Sequence, residues 1–307
     1  MESSSYSIAD FYIYLSFSDD AHADRTLLPS LAPFLTTEKG ADDYLLRMEV
    51  KGQLKPSENG QLLKSFDTGN GNIVVYTLPG GGYEFQVYNP QGEPCSLLRT
   101  ENRFSQCQCR VRGSWHNKAF GLNNALMLAF AFASNYHDSL LIHASCVAHQ
   151  PVGGQELWGY PFIAKSGTGK STHTSLWMSH VEGCQLLNDD NPVVRIIDGI
   201  PYIYGSPWSG KTPCYRNMRA RLGAVTSIVR DCENRAERLD TVNAFAMMLP
   251  ACSSMMWDET LHENLCQTIA AIIATTPQYA MHCRPDAEAA LCCSQTIIQD
   301  GLPTDAK

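Results

Sequence analysis

The residues best equipped for chemistry lie between positions 159 and 171, where the chain reads G-Y-P-F-I-A-K-S-G-T-G-K-S. An apolar run from Leu157 to Ile163 opens into a glycine loop, which closes on Lys170, Ser171 and a helix start. Gly167 and Gly169 let consecutive backbone N–H groups turn toward an anion, and the helix N-terminus adds the positive end of its dipole. Lys170 offers a point charge to β and γ phosphates, and the Ser171 hydroxyl a ligand to Mg²⁺. The strict pattern G-x-x-x-x-G-K-[ST] asks for glycine at 164, where this chain carries the small residue Ala164.

Farther along, Cys184 to Leu187 reads as a short strand that ends in Asn188, Asp189 and Asp190. Mg²⁺ takes oxygen ligands in octahedral order, commonly one or two carboxylates beside the phosphates. A second acid can take the proton of an attacking hydroxyl or water. The same residues followed by Pro192 also suit a turn, and the two readings are compatible. Upstream, Leu140 to Val147 reads L-L-I-H-A-S-C-V, a strand with His143 near its middle. Pairing with the strand that feeds the loop would bring His143 near a γ phosphate; the competing reading is a core histidine bonded to a neighbour. A second glycine-bounded loop, G-S-P-W-S-G-K-T at 205–212, precedes Arg216, Arg219 and Arg221. Phosphoryl transfer needs cations around the γ-phosphoryl oxygens, which singles out Lys211 and Arg216; a solvated basic loop is the alternative.

These groups need elements to hold them. The first hundred or so residues read as β-rich, with strands over Phe11 to Phe17 and Tyr44 to Val50 and a hairpin over Ile73 to Tyr88 around Gly80-Gly81-Gly82. From Asn117 to Tyr136 a helix is apolar around much of its circumference and must be buried. The phosphate loop runs into a short helix over Thr172 to His180. Beyond it follow a strand over Ala224 to Val229, helices over Leu239 to Leu249 and Thr260 to Ala274, an edge strand over Tyr279 to Cys283 and a helix through Cys293. The change in character places a domain boundary near 115: a β-rich accessory domain over 1–115 and an α/β (α+β) nucleotide-binding domain over 116–307.

The sequences I-H-A-S-C-V at 142–147, A-K-S-G-T-G-K-S at 164–171 and N-D-D at 188–190, in that order, resemble HPr kinase/phosphorylase and phosphoenolpyruvate carboxykinase. The likeness covers about residues 118 to 225, and the N-terminal region matches neither family. It implies the nucleotide-binding fold those two share. Carried over by residue, it puts the phosphates of ATP on Ser166, Gly167, Thr168, Gly169 and Lys170, with Thr172 joining that set. Ser171 and Asp190 fall on Mg²⁺, with Mn²⁺ as an alternative ion, and Asp189 falls on the base toward the acceptor hydroxyl. His143 matches a histidine that binds a second divalent metal in the carboxykinases and sits beside the transferred phosphoryl group in a kinase. Lys211 falls where the carboxykinases carry an active-site Lys-Thr. The implied activity is ATP- and Mg²⁺-dependent transfer of the γ-phosphoryl group to a hydroxyl of a small molecule or a protein serine. A carboxykinase-type lyase and a nucleotide-binding sensor or scaffold without turnover are the alternatives. Against the lyase stand the short chain and the absence of a selectable carboxylate-gripping arginine among Arg103, Arg110 and Arg112.

Composition bounds the rest. The 307 residues, 44% of them hydrophobic, suffice for a sizeable core. With 23 basic and 31 acidic residues the net charge is −8, and no basic block appears, which disfavours nucleic acid as a partner. The 12 cysteines form no C-x-x-C pair, so a zinc site is not expected. The first residues lack a basic and apolar leader pattern, and no run approaches a membrane span. The expectation is a cytoplasmic chain with reduced thiols. Its expected partners are a nucleotide and an unidentified hydroxyl acceptor, with a homo-oligomer left open.

Overall fold

The computed structural model describes residues 2–37, 43–101, 103–210 and 212–301, of which 299–301 through their helix alone. The protein is a mixed α/β chain with two large sheets, and it divides into compact units at Met1–Tyr136 and His137–Lys307.

The first unit holds strands β1 (Glu2–Ile8), β2 (Phe11–Phe17), β3 (Leu35–Thr36), β4 (Leu46–Val50), β5 (Gln61–Asp67), β6 (Asn72–Thr77), β7 (Tyr83–Tyr88), β8 (Pro94–Thr100) and β9 (Gln106–Val111), followed by helix α1 (Trp115–Asn135). They form one sheet in the order β3-β1-β2-β4-β9-β8-β7-β6-β5. Period-two burial shows why: in β2, Phe11, Ile13, Leu15 and Phe17 are buried while Tyr12 and Tyr14 lie half-buried between them. The glycine run at 80–82 is a hairpin turn with all three residues at positive φ. Helix α1 starts on Ser114, whose hydroxyl accepts from the Asn117 amide, and packs along β8 and β9. The sequence grouped this apolar helix with the C-terminal domain; it buries its face on the N-terminal sheet instead, so the division falls after Tyr136 rather than at 115.

The second unit holds β10 (Ser139–Leu141), β11 (Ala144–His149), β12 (Trp158–Ile163), α2 (Lys170–His180), β13 (Cys184–Asp190), β14 (Val193–Ile197), β15 (Ile200–Tyr204), β16 (Arg219–Leu222), β17 (Val225–Arg230), β18 (Arg235–Arg238), α3 (Thr241–Met248), α4 (Glu259–Thr275), β19 (Gln278–Cys283) and α5 (Ala287–Gly301). Its sheet runs β10-β14-β15-β16-β12-β17-β19-β18, with β11 on the other edge of β12 and β13 beyond it. Strand β12 is buried throughout, as a central strand covered on both faces must be. Trp158, Tyr160 and Phe162 join Trp177 of α2 and Cys293 and Ile297 of α5 in one core; Ile163 joins Met248 of α3 and Leu265, Ile269 and Ile272 of α4 in another. The helices thus sandwich the sheet, α2 and α5 on one face and α3 and α4 on the other.

Two expectations change here. The run Leu140 to Val147 is two strands rather than one. Ile142 bridges Cys252, and the His143 amide bonds the Ala251 carbonyl at 2.7 Å, so the chain steps from β14's neighbour to β12's neighbour at His143. Strand β19 is interior, lying between β17 and β18, because the polar 235–238 segment supplies the edge. Among the described residues no helix is long and apolar enough to cross a membrane.

Candidate active site

The phosphate loop leaves the sheet at Ala164 and re-enters regular structure at Lys170. Gly167 has φ 77° and Gly169 φ 131°, backbone that residues with a Cβ rarely adopt. A Cβ added at either would meet no atom within 4 Å. Glycine is therefore demanded by conformation, while the space above the loop stays open. Gly169 is the N-cap of α2 and brings no side chain to cap the first turn, so the helix start offers its amides to an outside acceptor. The turn is closed by the Thr168 amide on the Lys165 carbonyl at 3.1 Å.

Strand β11 sets the rest of the geometry. Ala144 faces Ile163 on one side and Asp190 on the other, and Ser145 lies between Phe162 and Asp189. The ends of β12 and β13 are thereby held two strand spacings apart, about 10 Å, with His143 at the head of the strand between them. Lys170 Nζ lies 2.9 Å from His143 Nε2 and donates to the Ala164 carbonyl at 3.1 Å. An ammonium can only donate, so His143 Nε2 accepts, and its proton sits on Nδ1, 3.1 Å from Asp190 Oδ1. Burial lowers the Lys170 pKa, against the pull of Asp190 and Asp189. The other acid faces elsewhere: Ser171 Oγ donates to Asp189 Oδ1 at 2.8 Å. Asp189 is buried, whereas the His143 and Asp190 side chains are 43% and 34% exposed.

Asn188 braces the strand end. Its Nδ2 donates to the Ser206 and Trp208 carbonyls, and its Oδ1 accepts from the Asp190 and Asn191 amides. Asn191 Nδ2 in turn donates to Asp190 Oδ2 at 2.7 Å. Thr174 Oγ1 donates to Ser145 Oγ at 2.8 Å in the interior, tying α2 to β11.

The expected loop residues Ser166 to Thr172 are therefore together with His143, Asp189 and Asp190. Lys211 lies outside the described residues. Arg216 does not join them. Its guanidinium donates to Gln185 Oε1 at 2.8 Å, near the start of β13, five residues and about 17 Å of strand from Asp190. Arg219 and Arg221 stack over Tyr202, in the middle of β15, and Trp158, at the start of β12 away from the loop. Sequence reasoning missed Arg230, which follows the apolar strand expected to end at Val229. It donates to the Thr168 carbonyl at 2.9 Å and to the Gly167 carbonyl. An arginine ending a strand parallel to the one that feeds the loop was the available signal.

A cavity of about 480 Å³ adjoins the loop, lined by Thr168, Thr172, Leu176, Ile228, Arg230 and Arg284 among others. In the first unit a wider groove of about 1000 Å³ crosses the sheet, and two of its arginines are already engaged: Arg99 with Glu84, and Arg47 over the Tyr14 and Tyr44 rings. Among the described residues no three His, Cys, Asp or Glu side chains converge to hold a metal by themselves. A cation here would rest on one hydroxyl, one or two carboxylates and the oxygens of a ligand. A scan against protein-family models and a search of curated proteins each find no match to this chain.

Proposed function

We propose that this chain is an ATP- and Mg²⁺-dependent phosphotransferase, with an HPr-kinase/phosphoenolpyruvate-carboxykinase-like second unit, acting on a hydroxyl of a small molecule or a protein serine. The observation that carries the reading is the meeting of Lys170 and Ser171 with His143, Asp189 and Asp190 at the ends of β11, β12 and β13. Three stretches far apart in sequence place on one spot the donors a triphosphate needs and the carboxylates its transfer needs.

The chemistry divides by exposure. Ser171 Oγ and Asp189 Oδ1 are hard oxygen donors 2.8 Å apart, a fit for Mg²⁺, and Mn²⁺ suits the same atoms. Bound there, the ion would offset charge on the β and γ phosphate oxygens. The loop amides and Lys170 hold the same oxygens, and the nucleoside enters the adjoining cavity. Asp190 is reachable from solvent and held by His143 and Asn191, so it is the group that takes the acceptor's proton as the hydroxyl oxygen attacks the γ phosphorus and ADP leaves. This allocation exchanges the two acids relative to the sequence expectation: the buried one, bonded to Ser171, takes the metal side. A cytosolic location belongs to the same proposal, supported by twelve cysteines that are all unbridged.

The test has two stages. Mg·ATP should raise the melting temperature of the wild type and leave Lys170→Ala unmoved; no shift in the wild type would sink the reading. Labelled ATP screened against metabolites and protein acceptors should then show transfer that Asp190→Asn slows by about 10²–10⁴-fold. Binding without transfer to any acceptor would make the chain a sensor, and oxaloacetate-dependent formation of phosphoenolpyruvate would make it a lyase.

A further inference from the structure

Arg230 stands at the end of β17, and its guanidinium donates through Nε to the Thr168 carbonyl at 2.9 Å and through Nη2 to the Gly167 carbonyl. Those carbonyls belong to consecutive peptides bracketed by Gly167 and Gly169, at φ 77° and 131°. Glycine permits several backbone conformations at each position, so this segment does not set its own shape. A peptide is planar, with its C=O and N–H pointing in opposite directions. Drawing the Thr168 carbonyl toward Arg230 therefore turns the Gly169 N–H to the opposite side of the loop.

We propose that Arg230 is a positioning residue for the phosphate loop, holding the 167–168 and 168–169 peptides with their carbonyls outward so that the Gly169 amide faces the bound phosphate. This rests on the reading of the loop as a triphosphate site. The planar guanidinium fork meets two neighbouring carbonyls at once; a lysine ammonium is a point charge without that geometry. Arg230 is exposed, so its truncation leaves no void in the core and the fold survives.

The experiment compares wild type, Arg230→Ala and Arg230→Lys in two measurements. Backbone hydrogen exchange across 166–171 is read without ligand, and affinity is read for Mg·ATP and for inorganic tripolyphosphate with Mg²⁺. The expected result is faster exchange in the loop of both variants with an unchanged melting temperature. Arg230→Ala should bind ATP and tripolyphosphate more weakly by the same factor, roughly tenfold, as for loss of one hydrogen bond to a charged group. Ethylguanidinium added to Arg230→Ala should restore part of both affinities. Unchanged loop exchange overturns the proposal. Loss of ATP binding with tripolyphosphate binding intact also overturns it, since Arg230 would then be a nucleoside contact. If the wild type bound neither ligand, the phosphotransfer reading would fall, while the exchange comparison would still decide whether Arg230 holds the loop.

Discussion

Ser171 Oγ donates to Asp189 Oδ1 at 2.8 Å, and this bond joins the start of α2 to the end of β13 across the intervening strand β11. At the head of β11, His143 joins Lys170 to Asp190. The two acids are neighbours in sequence but point to different partners, as successive residues of a strand do.

That separation predicts distinct phenotypes. Asp189→Asn should lose the Mg²⁺-dependent part of the thermal protection by ATP, because the neutral amide oxygen that replaces the carboxylate is a weaker ligand to the ion. Asp190→Asn should keep that protection and lose turnover by about 10²–10⁴-fold, the usual contribution of a positioned proton acceptor. Titrating ATP with and without Mg²⁺ against each variant checks the division, and identical behaviour of the two variants would refute it.

Gly169→Ala tests the loop's backbone. A methyl there has open space around it, so any penalty comes from φ 131° alone. The expected loss is roughly 1–3 kcal/mol of stability, the range for a residue held in a disallowed region. Tripolyphosphate binding should weaken with it. Calorimetry of the variant with and without tripolyphosphate measures both, and wild-type binding would show that the loop does not need this conformation.

Much of the candidate site was legible as a cluster because its residue types are chemically constrained. Lys170 and Ser171 follow a glycine loop in sequence, and Asp189-Asp190 ends a strand, so local pattern sufficed for all four. The strands Phe11 to Phe17 and Tyr83 to Tyr88 were read in full because their alternation is local too. What was not legible depends on distant packing. Nothing local says that Ile142 will bridge Cys252 and split the His143 strand, or that α1 will bury its apolar face on the N-terminal sheet. Arg216 and Arg230 show the same limit: both are exposed cations, and although only Arg216 follows a glycine loop in sequence, the third dimension sends it to Gln185 and sends Arg230 to the Thr168 carbonyl. Strands β14 to β16 were missed because runs of four or five residues are too short to carry a readable period.

His173 gives the fold a pH dependence. The imidazole is buried, accepts from Trp177 Nε1 at 3.1 Å and packs edge-on to Phe162; burial lowers it from 6.5 to about 4. Between those values the unfolded chain binds a proton that the folded chain refuses. Stability from this group is complete above about pH 6.5 and falls as the pH drops toward 4, by about 3 kcal/mol in all. His173→Gln, which keeps an acceptor for Trp177, should flatten that part of the profile. Urea midpoints at pH 7.5 and 5 measure it, and equal declines in wild type and variant would assign the sensitivity to other groups.

Arg216→Ala should leave phosphoryl transfer within about twofold of wild type, since its partner Gln185 lies at the remote end of β13 and a surface change of this kind stays within roughly 0.5 kcal/mol. A tenfold fall in kcat with the melting temperature unchanged would return Arg216 to the catalytic set.

Lys170→Met should separate stability from function in the opposite direction. The ammonium is partly desolvated, which is why its pKa is lowered, and it makes two bonds, to His143 Nε2 and to the Ala164 carbonyl. Methionine keeps the unbranched stem and removes the charge that burial disfavours. His143 is 43% exposed, so its Nε2 gains water in place of the lost donor. The ligand-free variant should therefore melt at or slightly above the wild type, while protection by Mg·ATP disappears. A thermal shift series with rising Mg·ATP reads both quantities in one experiment. A lower melting temperature without ligand would mean that the Lys170–His143 bond contributes to folding, and retained protection would mean that the lysine does not meet the phosphates.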